Sequence, residues 1–579
     1  MESVNTALKE SMSSSECGSD NDVVINPSKE EFYRHEQKTA VLDVEDDEKD
    51  GFVGIGICFD DLRGFYFSDI PEWLHEFISR GHFVGHNFKS DLHKLRKWGI
   101  DVTSEQIQDD TMLMSYVQKS TRESQGLKEL CAELLGIQSP TYADVVGKGV
   151  RKITLDKQDV DVVARYNVRS DLIPNFKLWK YFKTVLTPAE KQYYETIELP
   201  ITRLLFDMEE RGVLVDVEYL RSLDDYFSSE INRCGSTLHK YSHRRRVSGP
   251  KGVVREELIN LNSTQQVRDL LLRPNNINVE DTNKATLRPF EATPLVQLLC
   301  KHREYSKLRN TYTSSLLASP DLPRIHTTFN QCSFQGEGHG WRGIRTGRLS
   351  SSSPNLQNIP TRTEIGNSLR RAFVARRDCL LVVADYSQIE WRLAAHFSKD
   401  QKMAEYLNQK KDIYQVIADR AGQSRKKTKT AVLAANYMAG GNKIAEILNI
   451  PVNEGYDILN AYKDEFPVYF EWMRNTINDG NDYVDTILGR RTYPEKSSNK
   501  VPYKIQGSAA DIIKKAMLEC DKGGIVIQLT VHDELHTEVE RKDLKRTVED
   551  MKFVLENVVK LDIPLEVEIG WGKNWAEAK

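Results

Sequence analysis

Several acidic residues in this sequence stand where an apolar strand stops, and strand ends hold geometry tightly. Asp385 follows five consecutive apolar residues, Leu380 to Ala384, and opens the segment DYSQIEWR. Asp533 lies within GIVIQLTVHDELHTEVE (524–540), at the expected tip of a hairpin whose strands are apolar on alternate positions. Two such carboxylates brought together repel unless cations neutralise them. A pair of Mg²⁺ ions roughly 3.5–4 Å apart would do so, an arrangement suited to phosphoryl transfer. A second set begins with Asp43 and Glu45, which end the apolar stretch AVLDVE (40–45). Side chains at i and i+2 on a strand share a face. Asp91 follows in GHNFKSD, and three acids gathered this way suit metals that activate water against a phosphodiester. Taken singly, an Asp after a strand is more often a turn or cap residue; the inference rests on the sets.

Positive charge is arranged as well. Arg425, Lys429, Leu433 and Tyr437 recur every four residues, so one broad helix face carries all four. Arg425 and Lys429 present fixed positive charge to a triphosphate. Leu433 and Tyr437 present an apolar platform to a base.

The elements that must position these residues fall into three stretches. Residues 1–36 are acidic and Ser-rich, lack the apolar core of a secretory signal, and read as a disordered tail. Residues 37–185 alternate strands and helices. AVLDVE pairs with FVGIGICF (52–59) as a hairpin, and FVGHNFKSDLHKL (83–95) is a strand running into a helix. From 186 to 579 the texture turns to long amphipathic helices, among them 193–212 and 217–234, with strands at 379–384 and 524–540.

A chain of 579 residues needs more than one core. Its net charge of −5 does not exclude a nucleic acid, because binding follows the placement of Lys and Arg rather than their sum. Basic clusters at Arg244–Arg246, Arg425–Lys427 and Arg490–Arg491 are, taken singly, more often solvated faces than binding sites, although Arg244–Arg246 suits phosphate contact about as well as a solvated loop. Eight scattered cysteines show no zinc spacing and fit free thiols. No apolar run approaches the roughly 20 residues of a membrane helix, so no membrane partner is expected. The free thiols fit a reducing compartment, and a cytoplasmic location, that of a host if the chain is viral, is expected.

DYSQIEWR (385–392) and VHDE (531–534) resemble the two metal-carboxylate motifs of family A DNA polymerases, the DNA polymerase I family. TGRLSSSSPNLQNIP (346–360), the helix Arg425 to Tyr437, and QGSAADIIKKAM (506–517) resemble further stretches in the family's order, over about 390 residues. The resemblance implies an α+β multidomain fold with a right-hand polymerase at 186–579. Its helical thumb spans about 205–325, its antiparallel-sheet palm about 326–400 and 500–579, and its helical fingers about 401–499. It implies primer-template DNA and deoxynucleoside triphosphates as partners, with a helicase or processivity factor besides. Asp385 and Asp533 would hold two Mg²⁺ ions, with Mn²⁺ able to substitute. Lys429 and Arg425 would meet the triphosphate, and Glu390 with Tyr437 would exclude a 2′-hydroxyl. Arg348, Asn355, Gln357, Gln506 and His532 match DNA-contacting positions, of which Arg348, Gln506 and His532 would check minor-groove acceptors.

Two departures matter. Leu433 replaces the family's Phe or Tyr, so aliphatic contact replaces stacking and altered fidelity is expected. Tyr414 stands where the family often has a His on a phosphate, and carries no positive charge. The short chain and Leu433 suggest a phage-type enzyme without a 5′ nuclease domain.

Asp43-Val44-Glu45, Asp91 and DDTMLMSYV (109–117) resemble the DEDD-type 3′-to-5′ proofreading exonuclease, a ribonuclease H-like α/β fold, expected at 37–185. Asp43, Glu45, Asp91 and Asp171 would hold its metals, with Tyr166 beside them. The family spaces that Tyr and Asp four apart, whereas Tyr166 and Asp171 are five apart. One extra residue turns a helical side chain by about 100°. Either a local bulge restores Asp171 or the site is weakened. A non-catalytic DNA-binding accessory, or an exonuclease whose second half merely holds DNA, fits poorly with intact Asp385, Asp533, Arg425 and Lys429.

Overall fold

Short apolar runs in the N-terminal third, buried along nearly their whole length, build a six-stranded mixed sheet. The computed structural model describes residues 22–579 apart from 48, 50, 148–151, 242–244, 249–253, 333, 336–340, 343, 344 and 361–363. From edge to edge the strands run Val23–Ile25, Gly64–Phe67, Phe52–Cys58, Ala40–Asp46, Phe83–Gly85 and Ile107–Asp110. Ala40–Asp46 pairs antiparallel with Phe52–Cys58, as expected, and parallel with Phe83–Gly85. The strand that ends in Asp43 and Glu45 is therefore interior to the sheet, and its register is held from both sides. Helix Phe88–Lys97 follows its strand directly and carries Asp91. Val41, Tyr66, Val84, Val163, Val168 and Leu172 share one core with Tyr166.

The expected tail to residue 36 is corrected. Residues 1–21 lie outside the described residues, but Val23–Ile25 pairs parallel with Gly64–Phe67 and Lys29–Tyr33 is a helix. Phe32 is fully buried, among Phe59, Phe65, Phe67 and Phe77. A short amphipathic stretch behind an acidic run hid this aromatic anchor.

The chain forms two compact units. The first takes the described residues up to Arg211, Thr328–Ser352 and Val382–Ile569. The second takes Gly212–Thr327, Ser353–Leu381 and Gly570–Lys579. The chain does not part at 185–186, because the following helices are pinned to the N-terminal sheet. The Tyr194 hydroxyl accepts from the Asp110 amide at 2.8 Å and donates to Asp109 at 3.1 Å. Nor is 193–212 one regular helix: a π-helical turn at Tyr194–Glu198 precedes Leu199–Arg211. Pro200 lacks an N–H and cannot continue a regular ladder there.

Within the first unit, Ile527–Val531 and Glu534–Glu540 form the expected hairpin. They lie in a four-stranded sheet, beside the stretch of strand Cys379–Tyr386 from Val382 onward and then the stretch of strand Val567–Gly572 up to Ile569. The buried helix Lys500–Lys522 and the helices Ile413–Ala421, Arg425–Asn436 and Val452–Glu465 complete this part.

The second unit is mainly helical. Val217–Lys240, Thr264–Asn275 and Pro294–Leu308 contribute to its structure, with Leu238, Val267, Leu271, Val296 and Leu299 in one core. Of the basic tripeptide, Arg244 lies outside the described residues, and Arg245–Ser248 is a strand paired with Val254–Glu257.

Two candidate active sites

The first site is made where two chain reversals meet. His532 and Asp533 form the two-residue loop between the paired residues Val531 and Glu534, with His532 in the left-handed region at φ 56°. A positive φ at the first loop position is what a tight hairpin of this twist requires. On the neighbouring strand, Tyr386 donates its amide hydrogen to the Asp533 carbonyl at 3.3 Å. Asp385, on its strand, and Asp533, in the hairpin loop, are thereby held side by side. Burial first, and then the charge of Asp385, push the Asp533 carboxyl up to about 6. The cost of that crowding falls when a cation binds, and an all-carboxylate donor set suits a hard divalent ion.

Beyond Asp385, the chain turns through Gln388 (φ 55°) into helix Ile389–Ser398, which brings Glu390 to the same place. Arg348 donates to Glu390 in a close ion pair, and Gln506 donates to the Tyr437 hydroxyl. A cavity of about 120 Å³ is lined by Glu390, Trp391, Tyr414, Leu433, Tyr437, Gln506 and Asp533. Leu433 is 38% exposed and Tyr437 56%.

The helix Arg425–Asn436 starts at a Ser424 cap and buries Thr428, Ala431, Val432 and Ala435. The expected stripe is left on its outer side: Arg425, Lys429 and Leu433 are exposed, with Tyr437 at the C-cap. Arg425 is engaged by Asp412, the N-cap of Ile413–Ala421, and Lys429 lies 5.4 Å from the Tyr414 ring centre. The Tyr414 hydroxyl accepts from Trp391 Nε1 at 3.0 Å, which orients its ring. His532 is exposed at the loop tip. Asn355 and Gln357 belong to the second unit, where Asn355 accepts from the Asn358 amide at 3.2 Å and Gln357 is buried.

The second site forms over the N-terminal sheet. Helix Val160–Tyr166 widens into a π-helix at Asn167–Leu172, after which Ile173–Val185 is regular again. A π-turn takes up one additional residue, so the five-residue spacing is absorbed and Asp171 faces the strand acids. Ligand oxygens of Asp43, Glu45 and Asp171 all lie within 4.8 Å of one another. Burial, and then the charge of Asp171, push the Asp43 carboxyl up to about 7, and burial pushes that of Asp171 up to about 6. Glu45 and Asp91 are raised as well, by burial and then by Asp43. The Asp171 Oδ2 atom is buried without a hydrogen-bond partner. Carboxylates this crowded fit a divalent cation. Asp91, Lys94 and Tyr166 line the same cavity of about 280 Å³.

Sequence reasoning missed two residues here. Asn167 donates to Asp43 at 2.7 Å and to Glu45 at 3.1 Å. Its place beside Tyr166 was visible, but a regular helix would have aimed it elsewhere. Lys128, about 40 residues upstream in sequence, donates to the Tyr166 hydroxyl at 2.5 Å, and no local signal marks it.

The model of DNA polymerase family A matches residues 236–577. DNA polymerase I of Rhizobium leguminosarum is 30% identical over 543 residues, 86% of this chain and 51% of that protein. The thermostable DNA polymerase I of Thermus aquaticus is 33% identical over 427 residues, 67% of this chain and 48% of that protein. The chain spans about half the length of the curated relatives it matches. Among solved structures, the POL domain of Pol1 from M. smegmatis, in complex with DNA primer-template and dNTP, aligns with a TM-score of 0.76 at 26% identity. That alignment covers 94% of this chain and 97% of that one.

Proposed function

This chain belongs to DNA polymerase family A, and from that premise we propose that it adds deoxynucleotides to a primer 3′ end under the direction of a DNA template. The observation that carries the reading is the Tyr386-to-Asp533 backbone bond, which ties the end of the strand bearing Asp385 to the hairpin loop bearing Asp533. Two bound Mg²⁺ ions, with Mn²⁺ able to substitute, supply Lewis acidity toward the primer hydroxyl and the α-phosphate. Asp385 and Asp533 are the residues to hold them.

The remaining work falls to the chain itself. Arg425 and Lys429 neutralise the departing pyrophosphate, and Lys429 delivers a proton to it. Leu433 and Tyr437 carry the incoming base, while Glu390 under the sugar leaves no room for a 2′-hydroxyl. Arg348 and Gln506, tied here to Glu390 and Tyr437, exchange those partners for minor-groove acceptors when a paired primer end arrives. Residues 205–325 act as a thumb, and 401–499 as fingers.

The same chain, on this reading, trims mismatched 3′ ends at Asp43, Glu45, Asp91 and Asp171. The π-helix at Asn167–Leu172 supports it, since a vestigial site has no need to bring Asp171 back to the strand acids. Extension of a 5′-labelled primer-template in Mg²⁺, with and without nucleotides, tests both halves. Asp385→Ala is expected to abolish extension alone and Asp43→Ala shortening alone. Extension undiminished in Asp385→Ala would sink the polymerase reading, and shortening undiminished in Asp43→Ala the exonuclease one.

A further inference from the structure

We propose that Lys128 is a positioning residue of the 3′-end-trimming site, holding the Tyr166 hydroxyl as a hydrogen-bond donor to the substrate side while it steadies Asp171. The inference rests on the exonuclease reading above.

Lys128 stands in the first turn of helix Leu127–Leu135. A cation is disfavoured there, because the helix N-terminus is itself positive. Its side chain is only 19% exposed, so most of its hydration is lost too. Both costs are offset by what it reaches. Nζ lies 2.5 Å from the Tyr166 hydroxyl, 4.2 Å from the ring centre and 3.5 Å from Asp171 Oδ1. Its charge also reaches Asp43 and Glu45, whose carboxyls it pulls back down against burial.

An ammonium has three donors and no acceptor. The Tyr166 oxygen therefore receives a hydrogen bond from Lys128 and must turn its own proton elsewhere. Tyr166 lines the acidic cavity with Asp43, Glu45, Asp91 and Asp171, so the proton is available to a phosphate oxygen or a water there. With its lone pair engaged, the phenol is a donor and not the base that deprotonates the attacking water. The same ammonium is a like charge beside a cation site, and it weakens metal binding while it favours hydrolysis. A residue that merely braced the fold would not act on the two in opposite directions.

The test uses the full chain carrying Asp385→Ala, which silences extension and removes a ligand of the other metal site. Lys128→Met, Lys128→Arg, Tyr166→Phe and the Met/Phe double variant are compared on a 5′-labelled single strand. Mn²⁺ binding without DNA is followed by electron paramagnetic resonance. Lys128→Met is expected to lower kcat at least tenfold with KM for the strand within twofold, and to bind Mn²⁺ at least threefold tighter. Lys128→Arg should regain part of the rate, and Lys128→Met should cost less than twofold once Tyr166 is Phe. An unchanged rate in Lys128→Met overturns the proposal, as does joint loss of rate and Mn²⁺ affinity, or full multiplication of the two single losses. If the parent chain shortens the strand no faster than its Asp43→Ala derivative, the exonuclease reading itself fails and the proposal with it.

Discussion

The Tyr386 amide donates to the Asp533 carbonyl at 3.3 Å, joining the strand that carries Asp385 to the hairpin that carries Asp533. A slip of one residue in that register would turn Asp385 to the opposite face of the sheet. The bond therefore holds close together two acids separated by 147 residues of chain.

Asp385→Ala and Asp533→Ala are each expected to lower primer extension by about 10³-fold or more while leaving the unfolding transition nearly in place. Removing either acid relieves the crowding that raises Asp533, so neither change should destabilise the metal-free chain. Single-turnover extension and calorimetry on the same preparations check both statements.

Leu433 is a partly exposed wall of the cavity that also contains Glu390 and Tyr437. Leu433→Phe adds ring contact worth about 1 kcal/mol, so KM for a deoxynucleotide should fall about fivefold. Error and dideoxynucleotide-incorporation rates should shift with it. Rates equal to those of the parent would remove Leu433 from the nucleotide site.

Asp412 holds Arg425 before any nucleotide arrives. Asp412→Asn keeps an oxygen to cap Ile413–Ala421 but removes the competing charge. KM for nucleotide should fall about twofold to threefold, more at low salt than at high. Arg425→Ala should raise it. Steady-state kinetics at two ionic strengths suffices.

Gly56 lies against the second site. A Cβ at this position would come within 1.8 Å of Asn167 Oδ1, and Asn167 cannot withdraw without releasing Asp43 and Glu45. Gly56→Ala is expected to slow 3′-end trimming about tenfold or more, to cost about 1–3 kcal/mol of stability, and to leave extension intact. Comparing the two activities in one preparation reads the result.

Glu465 is buried, which alone would raise its carboxyl. Hydrogen bonds from Lys402, Tyr406 and Arg420 at 2.6–2.7 Å outweigh that and hold it below its ordinary value. A carboxyl depressed by folding contributes stability that is present above the unfolded value of about 4.3 and is lost as pH falls through the folded one. Glu465→Gln should lower Tm by about 2 °C at pH 7, and the difference should begin to shrink as pH falls below about 4.3 and vanish once pH has passed below the depressed folded value. A constant difference across that range would show that the charge is not what matters.

Much of this molecule was legible before folding was considered. The strand acids, the four-residue stripe on Arg425–Asn436 and the hairpin around His532-Asp533 are local patterns, and periodicity reports local geometry directly. The N-terminal strand at Val23–Ile25 escaped because its hydrogen bonds go to Gly64–Phe67, about 40 residues away, and a three-residue strand has no period to read. The outer face of Arg425–Asn436 was visible, but its partner Asp412 was not, since a salt bridge between two helices leaves no spacing rule.

The amino-acid sequence by itself determined which chemistry this chain is equipped for: acids at strand ends, cations on one helix face, and the order of motifs that marks the family. Tertiary structure alone decided whether Asp171, displaced by one residue, still meets Asp43 and Glu45. Tyr166 to Asp171 reads the same in either case; a π-turn costs or gains through its packing on the sheet, and that balance is set by residues distant in the chain. The same holds for Lys128, which only the folded chain brings to Tyr166.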